Sequence, residues 1–201
     1  MGYDKVAPEV SINRAIEALK KNGINAVMVA DSDAAKVKVL EMIPKGAEVM
    51  TMTSVTLDQT GISKELNESG NYNPTRDKLY DEKVDKREKA RLGAAPEYVI
   101  GSVHAVTEDG KVIVASNSGS QLPAYSYAAG HVIWVVGAQK LVTDFDDGLK
   151  RIYEYVLPLE SERAKKAYGV PGSFVSKLLV FNKEPNPERI TLIFVNEVLG
   201  Y

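Results

Sequence analysis

Tyr98-Val-Ile-Gly101-Ser-Val-His104-Ala-Val-Thr107-Glu108-Asp109-Gly110-Lys-Val-Ile-Val-Ala-Ser116-Asn117-Ser118-Gly119-Ser120-Gln121, continued by His131-Val-Ile-Trp134-Val-Val-Gly137 and Lys140-Leu-Val142, is the stretch that decides the fold. Apolar runs of strand character are separated by polar, glycine-bearing turns. Such runs, bounded by turn residues, read as buried strands. Each turn sets small polar side chains and backbone N–H groups where a strand ends. In open α/β sheets, ligands bind outside the carboxyl ends of the strands.

Outward from that stretch the chain alternates between helix and strand. Ile12, Ala15, Ile16 and Leu19 form one apolar stripe on a helix spanning 8–22, with Pro8 at its start and Asn22-Gly23 at its end. Residues 24–30 read as a buried strand. Asp31-Ser32-Asp33 then caps a second helix through Met42, and residues 47–52 form a second strand. A crossover of helical pattern predicts a parallel pair with a right-handed connection. Thr75–Leu92 alternates in charge and has a sparse apolar face (Leu79, Val84, Leu92), which reads as a solvated helical insertion within 70–96. Asp144 or Thr143 caps a helix carrying Phe145, Leu149, Ile152, Tyr153 and Val156, which Pro158 is expected to interrupt. Two C-terminal strands within 176–195 flank a Pro-rich connector suited to a hairpin-like or edge arrangement. No repeat or linker divides the chain, so 1–201 reads as one domain.

Composition narrows the chemistry. The chain has 201 residues, 44% apolar content, a formal charge of −2 and no cysteine. A disulfide framework, a thiolate metal site and a cysteine nucleophile are therefore excluded. No basic cluster marks a nucleic acid partner. No apolar run reaches membrane-spanning length. There is no signal-like segment after Met-Gly-Tyr, and Val6 breaks a myristoylation motif that needs Ser or Thr. The expected location is the cytoplasm.

Three segments carry candidate chemistry. Thr53, Ser54 and Thr56 gather where the second strand enters a helix; they cap it, or with the helix amides they hold an anion. Thr107-Glu108-Asp109-Gly110 is a hairpin signal that needs no function; the functional alternative makes Glu108 a nucleophile or general base. Asn117-Ser118-Gly119-Ser120-Gln121 is a capped turn or a cradle for phosphate or carboxylate, without the glycine spacing of a Walker or dinucleotide loop. His104 is the better acid–base candidate of the two histidines, and His131 reads as structural. The pair, without a carboxylate pattern, predicts no metal site and no bound cofactor. Trp134 reads as core, and Lys140, near the far end of its strand, as a solvated lysine ahead of one that meets an anion.

Taken in order, these segments resemble the LUD-domain family, the lactate-utilisation LutC/YkgG-like group formerly called a domain of unknown function. Ser54-Val-Thr56-Leu57 is similar to its Gly-Gly-Ser-x-Thr-Leu turn, and Gly101–Gly110 to its Gly-x-Asn-Ala-Ile-Thr-Glu-Asp-Gly segment. Asn117–Gln121 is similar to its Gly-Thr-Gly-Asn-Arg loop, and His131–Val142 to a strand ending in Lys-Ile-Val. The resemblance spans roughly residues 10 to 182. It implies a three-layer α/β/α fold with a mainly parallel sheet, similar to the NagB/RpiA/CoA-transferase-like superfamily. It also implies a small anionic metabolite as ligand and an accessory or regulatory role in lactate or organic-acid metabolism. Iron–sulfur proteins of a lactate oxidation system are the implied partners, along with further copies of the chain. By superfamily analogy Glu108, ahead of Asp109-Gly110, is placed like the nucleophile of class I CoA transferases, so acyl or CoA transfer, phosphosugar or folate chemistry is the alternative. Met52 and Thr53 stand where the family has glycines, His104 where it has asparagine and Gln121 where it has arginine. These departures point to a smaller, neutral or carboxylate ligand, or to a lost activity.

Overall fold

The computed structural model describes residues 2–201. Val132, Trp134 and Val136 of β7 (His131–Gly137) are buried toward one side, and Ile133 and Val135 toward the other. This two-residue alternation, with both sets apolar, is what a central strand of a sheet covered on both faces requires. β7 lies third in a six-stranded parallel sheet of order β1-β10-β7-β4-β2-β3. Its partners are β1 (Asn25–Val29), β2 (Glu48–Thr51), β3 (Asn73–Pro74), β4 (Tyr98–Gly101) and β10 (Ile190–Val195). On one face pack α2 (Ser32–Met42), α3 (Val55–Gln59) and α4 (Ile62–Glu68), through Ala35, Val39, Leu57, Ile62 and Leu66. The other face meets α1 (Glu9–Lys21), whose Ile12, Ala15, Ile16 and Leu19 enter the same cluster as Trp134 and Phe194. Each large apolar side chain so buried contributes on the order of 1.5–3 kcal/mol.

The remaining strands form a second sheet that the sequence pattern did not separate from the first. Its order is β8-β5-β6-β9, built from β5 (Ala105–Thr107), β6 (Val112–Ser116), β8 (Leu141–Val142) and β9 (Lys177–Phe181). Val106, Val112 and Val114 face α1 and the main sheet. Ala105, Ile113 and Val142 face outward, in one cluster with Ile152 of the helix spanning 145–168. A mainly parallel sheet flanked by helices is thus present, with a small mixed sheet inserted between it and the outermost helix.

Three local expectations change. β1 and β2 are parallel but not neighbours, because β10, β7 and β4 lie between them. β9 and β10 do not pair; their Pro-rich connector carries the chain from the edge of one sheet to the interior of the other. Pro158 does not interrupt its helix. Asp144 caps α7 (Phe145–Arg151), and a π-helical turn at Ile152–Val156 leads directly into α8 (Leu157–Tyr168), with Pro158 in its first turn. The widened turn takes up the clash and the missing N–H that proline imposes on a regular helix. The charged insertion is two short helices, α5 (Arg76–Tyr80) and α6 (Lys86–Ala94), separated at 81–85.

The β5–β6 hairpin closes through Gly110 N–H to the Thr107 carbonyl and Thr107 N–H to the Lys111 carbonyl. Gly110 has φ of +81°, and a Cβ there would stand 2.7 Å from backbone atoms of Ala18 and Leu19 in α1. Gly110→Ala therefore meets left-handed strain, roughly 1–2 kcal/mol, as well as a backbone collision. The expected loss of more than 2 kcal/mol is measurable by urea unfolding; a loss below 1 kcal/mol would show that the hairpin lifts off α1 freely.

Candidate functional site

β2, β4 and β6 all deliver their carboxyl ends to one cavity of about 850 Å³. Its walls come from the Thr51–Thr56 turn, Ser102–His104, Ala115–Ser118, Ser120-Gln121, Tyr125, Lys140, one side of α8 and Gly200-Tyr201. The loop after α8, with Ser173 and Phe174, and the helices α5 and α6, with Arg76 and Lys89, stand at its edges.

Lys140 is the unexpected member. It lies in the short 3₁₀ turn Ala138–Lys140, where the chain leaves β7 in the large sheet for β8 in the small one. That crossing turns its side chain inward, and the residue is 2% exposed rather than solvated. Its Nζ donates to Thr56 Oγ1 and Ser102 Oγ, each at 3.1 Å. Both partners are neutral hydroxyls. Burial, reinforced by the positive charge of Arg151, holds the amine well below the ordinary lysine range. Thr56 in turn donates to the Leu199 carbonyl at 3.2 Å. The sequence did carry a hint of this: Gln139 and Lys140 are a polar pair between the apolar runs Val135-Val136 and Leu141-Val142.

His104 also lines the cavity. Its Nδ1 accepts the Ala115 N–H at 3.1 Å, so the neutral ring carries its proton on Nε2. Burial, with Lys140 and Arg151 nearby and Glu160 opposing them, pushes its pKa down to about 3. At neutral pH it is a hydrogen-bond donor to the cavity, not a proton shuttle. Glu160 is the carboxylate of the far wall. Arg163 grips it with two hydrogen bonds of 2.7 Å, and the Tyr201 hydroxyl donates to it at 2.7 Å. Burial raises the Glu160 carboxyl, but these hydrogen bonds and the Arg163 charge outweigh it, so the net shift is downward.

The other predicted residues divide. Thr53, Ser54, Thr56, Asn117, Ser118, Ser120 and Gln121 all line the cavity. Ser54 caps α3 through Leu57 N–H, and Thr53 accepts from Arg76, which also donates to the Thr51 carbonyl at 2.7 Å. Gly119, with φ of +86°, makes the bend between Ser118 and Ser120, and its N–H donates to Ser116 Oγ at 2.8 Å. Gln121 is folded back, accepting from the Ser116 hydroxyl at 2.9 Å. Thr107, Glu108, Asp109 and Gly110 are not brought to the cavity. β5 carries them away from His104, roughly 10 Å of strand for three residues. There Glu108 pairs with Arg14 of α1 at 2.5 Å, Asn22 donates to the Asp109 and Gly110 carbonyls, and the Thr107 hydroxyl bonds the Asp109 carboxylate. His131 stacks on Tyr98 at 4.6 Å, at the opening of its strand. Trp134 is buried against Tyr125 and Phe181. Among the described residues no group of three or more acidic or histidine side chains could hold a metal ion, and no helix is long and apolar enough to cross a membrane.

A family model, the LUD domain, matches residues 12–195. This chain belongs to the LUD domain family. The fold agrees: the crystal structure of a DUF162 family protein from Deinococcus radiodurans, at 1.70 Å resolution, aligns over 92% of this chain and 96% of its own. The TM-score is 0.57 at 11% identity, a likeness of fold. eIF2B beta from Chaetomium thermophilum aligns over 57% of this chain and 44% of its own, with TM-score 0.39 and 15% identity, too slight a likeness to bear on the fold. No curated protein matches the chain.

In this LUD domain the histidine has a consequence for acid stability. The folded pKa of His104 lies near 3, below the ordinary value of 6.5. Between those values the unfolded chain holds a proton that the folded chain does not. The His104 contribution is therefore complete above pH 6.5 and declines as pH falls, by about 1.4 kcal/mol per pH unit. Two-dimensional NMR of the imidazole is expected to show no titration between pH 5 and 8, against the usual pKa of about 6.5. A midpoint near 6.5 would mean that water reaches the ring freely.

Proposed function

We propose that this LUD domain is a receptor for a small organic anion, held in the cavity against Lys140, Thr56 and Ser102. One observation carries the reading: a buried lysine at the cavity wall whose side-chain hydrogen-bond partners, among the described residues, are two hydroxyls. A buried cation without a counter-charge costs several kcal/mol. That cost favours the neutral amine in the empty cavity, and a bound carboxylate or phosphate would supply the counter-charge that draws a proton onto it. The hydroxyl-rich turns at 53–56 and 116–121 add donors suited to its oxygens. The volume of about 850 Å³ lies within the range of small-molecule sites.

In organic-acid metabolism such a chain would act as the acid-binding accessory subunit. Redox chemistry would come from iron–sulfur partners, since a chain without cysteine offers no thiolate to a cluster. The alternative, transfer chemistry through Glu108, gains nothing from the geometry, because that carboxylate faces Arg14 on the far side of the small sheet.

The test is thermal unfolding with lactate, pyruvate, sugar phosphates, acyl-CoAs, folates and nucleotides. A ligand at about 100 times its Kd adds roughly 2.7 kcal/mol. We expect a shift with at least one carboxylate or phosphate, lost in Lys140→Met. Failure of every anion to shift the transition would overturn the receptor reading.

A further inference from the structure

We propose that Lys140 is a nucleophile that captures a 2-oxo acid as an imine. The inference rests on the cavity being a ligand site, and it names the class of ligand and the bond formed.

A lysine that binds an anion only by charge works best as a permanent ammonium. Lys140 stands in the opposite setting. Its Nζ is buried, held by Thr56 Oγ1 and Ser102 Oγ at 3.1 Å, and no carboxylate is paired with it among the described residues. Glu160, on the far wall, is already taken by Arg163 and Tyr201. The positive charge of Arg151 acts on the same amine. Desolvation and a neighbouring cation are the two devices that keep a lysine amine neutral and nucleophilic. The amine is also oriented, since two hydroxyls at equal distance fix the direction of Nζ, and the cavity reaches it.

The step balances without an oxidant or reductant. The Nζ lone pair attacks the carbonyl carbon and a C–N bond forms. The carbonyl π pair moves to oxygen, which takes a proton lost from nitrogen and relayed by the Ser102 hydroxyl, giving a carbinolamine. The C–O bond then breaks, the hydroxyl leaves with a second proton as water, and C=N forms. One amine and one carbonyl compound yield one imine and one water. A 2-oxo acid fits better than a simple aldehyde. Its carboxylate sits on the carbonyl carbon itself, so it arrives beside Ser102, whose hydroxyl accepts from Nζ and keeps its own proton to donate to it. A protonated imine also supplies the positive charge that the carboxylate needs.

The experiment incubates the full chain with pyruvate and sodium cyanoborohydride near neutral pH, followed by intact-mass and peptide mapping. Lactate, which has the carboxylate but no ketone, is the control, and thermal unfolding with both acids runs in parallel. The expected result is one adduct per chain, heavier by the oxo acid less one oxygen atom, located on Lys140 and absent with lactate. Adducts absent from Lys140, or spread over exposed lysines at equal yield, overturn the imine. If pyruvate shifts the unfolding transition but is not trapped, the receptor reading stands and the imine falls. If there is neither shift nor adduct, both fall for this acid class. Because the decisive readout is the map of the unmodified sequence, it does not depend on a Lys140 variant folding.

Discussion

Lys140→Met is expected to make the ligand-free protein more stable at neutral pH, by about 1–4 kcal/mol, while removing its affinity for anions. Methionine matches the lysine stem in length and fills the same space. It removes a charge that burial and Arg151 disfavour in the folded state alone. The pH dependence gives the sharper test. The folded pKa of Lys140 is depressed below the ordinary value of about 10.4. Between the two, the unfolded chain binds one proton more than the folded chain, so stability rises with pH through that window at about 1.4 kcal/mol per unit. Below the folded pKa the slope vanishes and the full penalty remains. His104, Glu160 and Arg151 face the same region but are common to both proteins. The difference between wild type and Lys140→Met, followed by urea unfolding from pH 6 to 10, therefore isolates the lysine. A flat difference over that span would place the amine in contact with bulk water.

Arg189→Ala is expected to act in the other direction, with a loss of about 3–5 kcal/mol. Arg189 and Glu184 are 8% and 8% exposed, and they meet at 2.5 Å in the connector between β9 and β10. Arg189 also donates to the Tyr125 carbonyl at 2.9 Å, tying the connector to the π-helical turn Ala124–Ala128 beside the cavity. Truncation leaves Glu184 buried without its cation. For a chain of this length each kcal/mol moves the melting temperature by about 2–4 °C, so a fall of roughly 10 °C is expected by calorimetry. Combining it with Glu184→Gln should recover part of the loss, since the stranded charge is then gone. If the double variant melts no higher than the single one, the Tyr125 bond, rather than the ion pair, holds the connector.

The large sheet was legible because its strands are apolar on both faces. Val132 to Val136 reads as an interior strand by that rule; Ile190 to Val195 reads as a strand too, but its Pro-rich connector suggested a hairpin or an edge, and its place between β1 and β7 was not legible. The small sheet was not legible. β5 and β8 are three and two residues long, too short to show a period, and β8 joins its neighbour only through a crossing that local pattern does not encode. Pro158 misled for a related reason: the rule that proline ends a helix assumes regular spacing, and one widened turn evades it. At the site, the polar turns after β2 and β6 announced themselves by composition. Thr107–Gly110 did so equally, yet a hairpin reverses direction, and one strand length separates His104 from Glu108. Lys140 was read as solvated because charge is usually a mark of the surface. Only the passage from one sheet to the other makes it an interior group.

The order of the large sheet has a bearing on how the molecule is made. β1 is complete by residue 29, yet its sole neighbour is β10, which begins at Ile190. During synthesis the first strand must wait, edge exposed, for nearly the whole chain to emerge. α1, packed across β1 and the later strands, waits with it. The partner of longest sequence separation is thus also the one that seals the sheet. Such pairings slow folding and leave early segments open to other chains, so chaperone demand is expected to fall on the first thirty or so residues of the nascent protein.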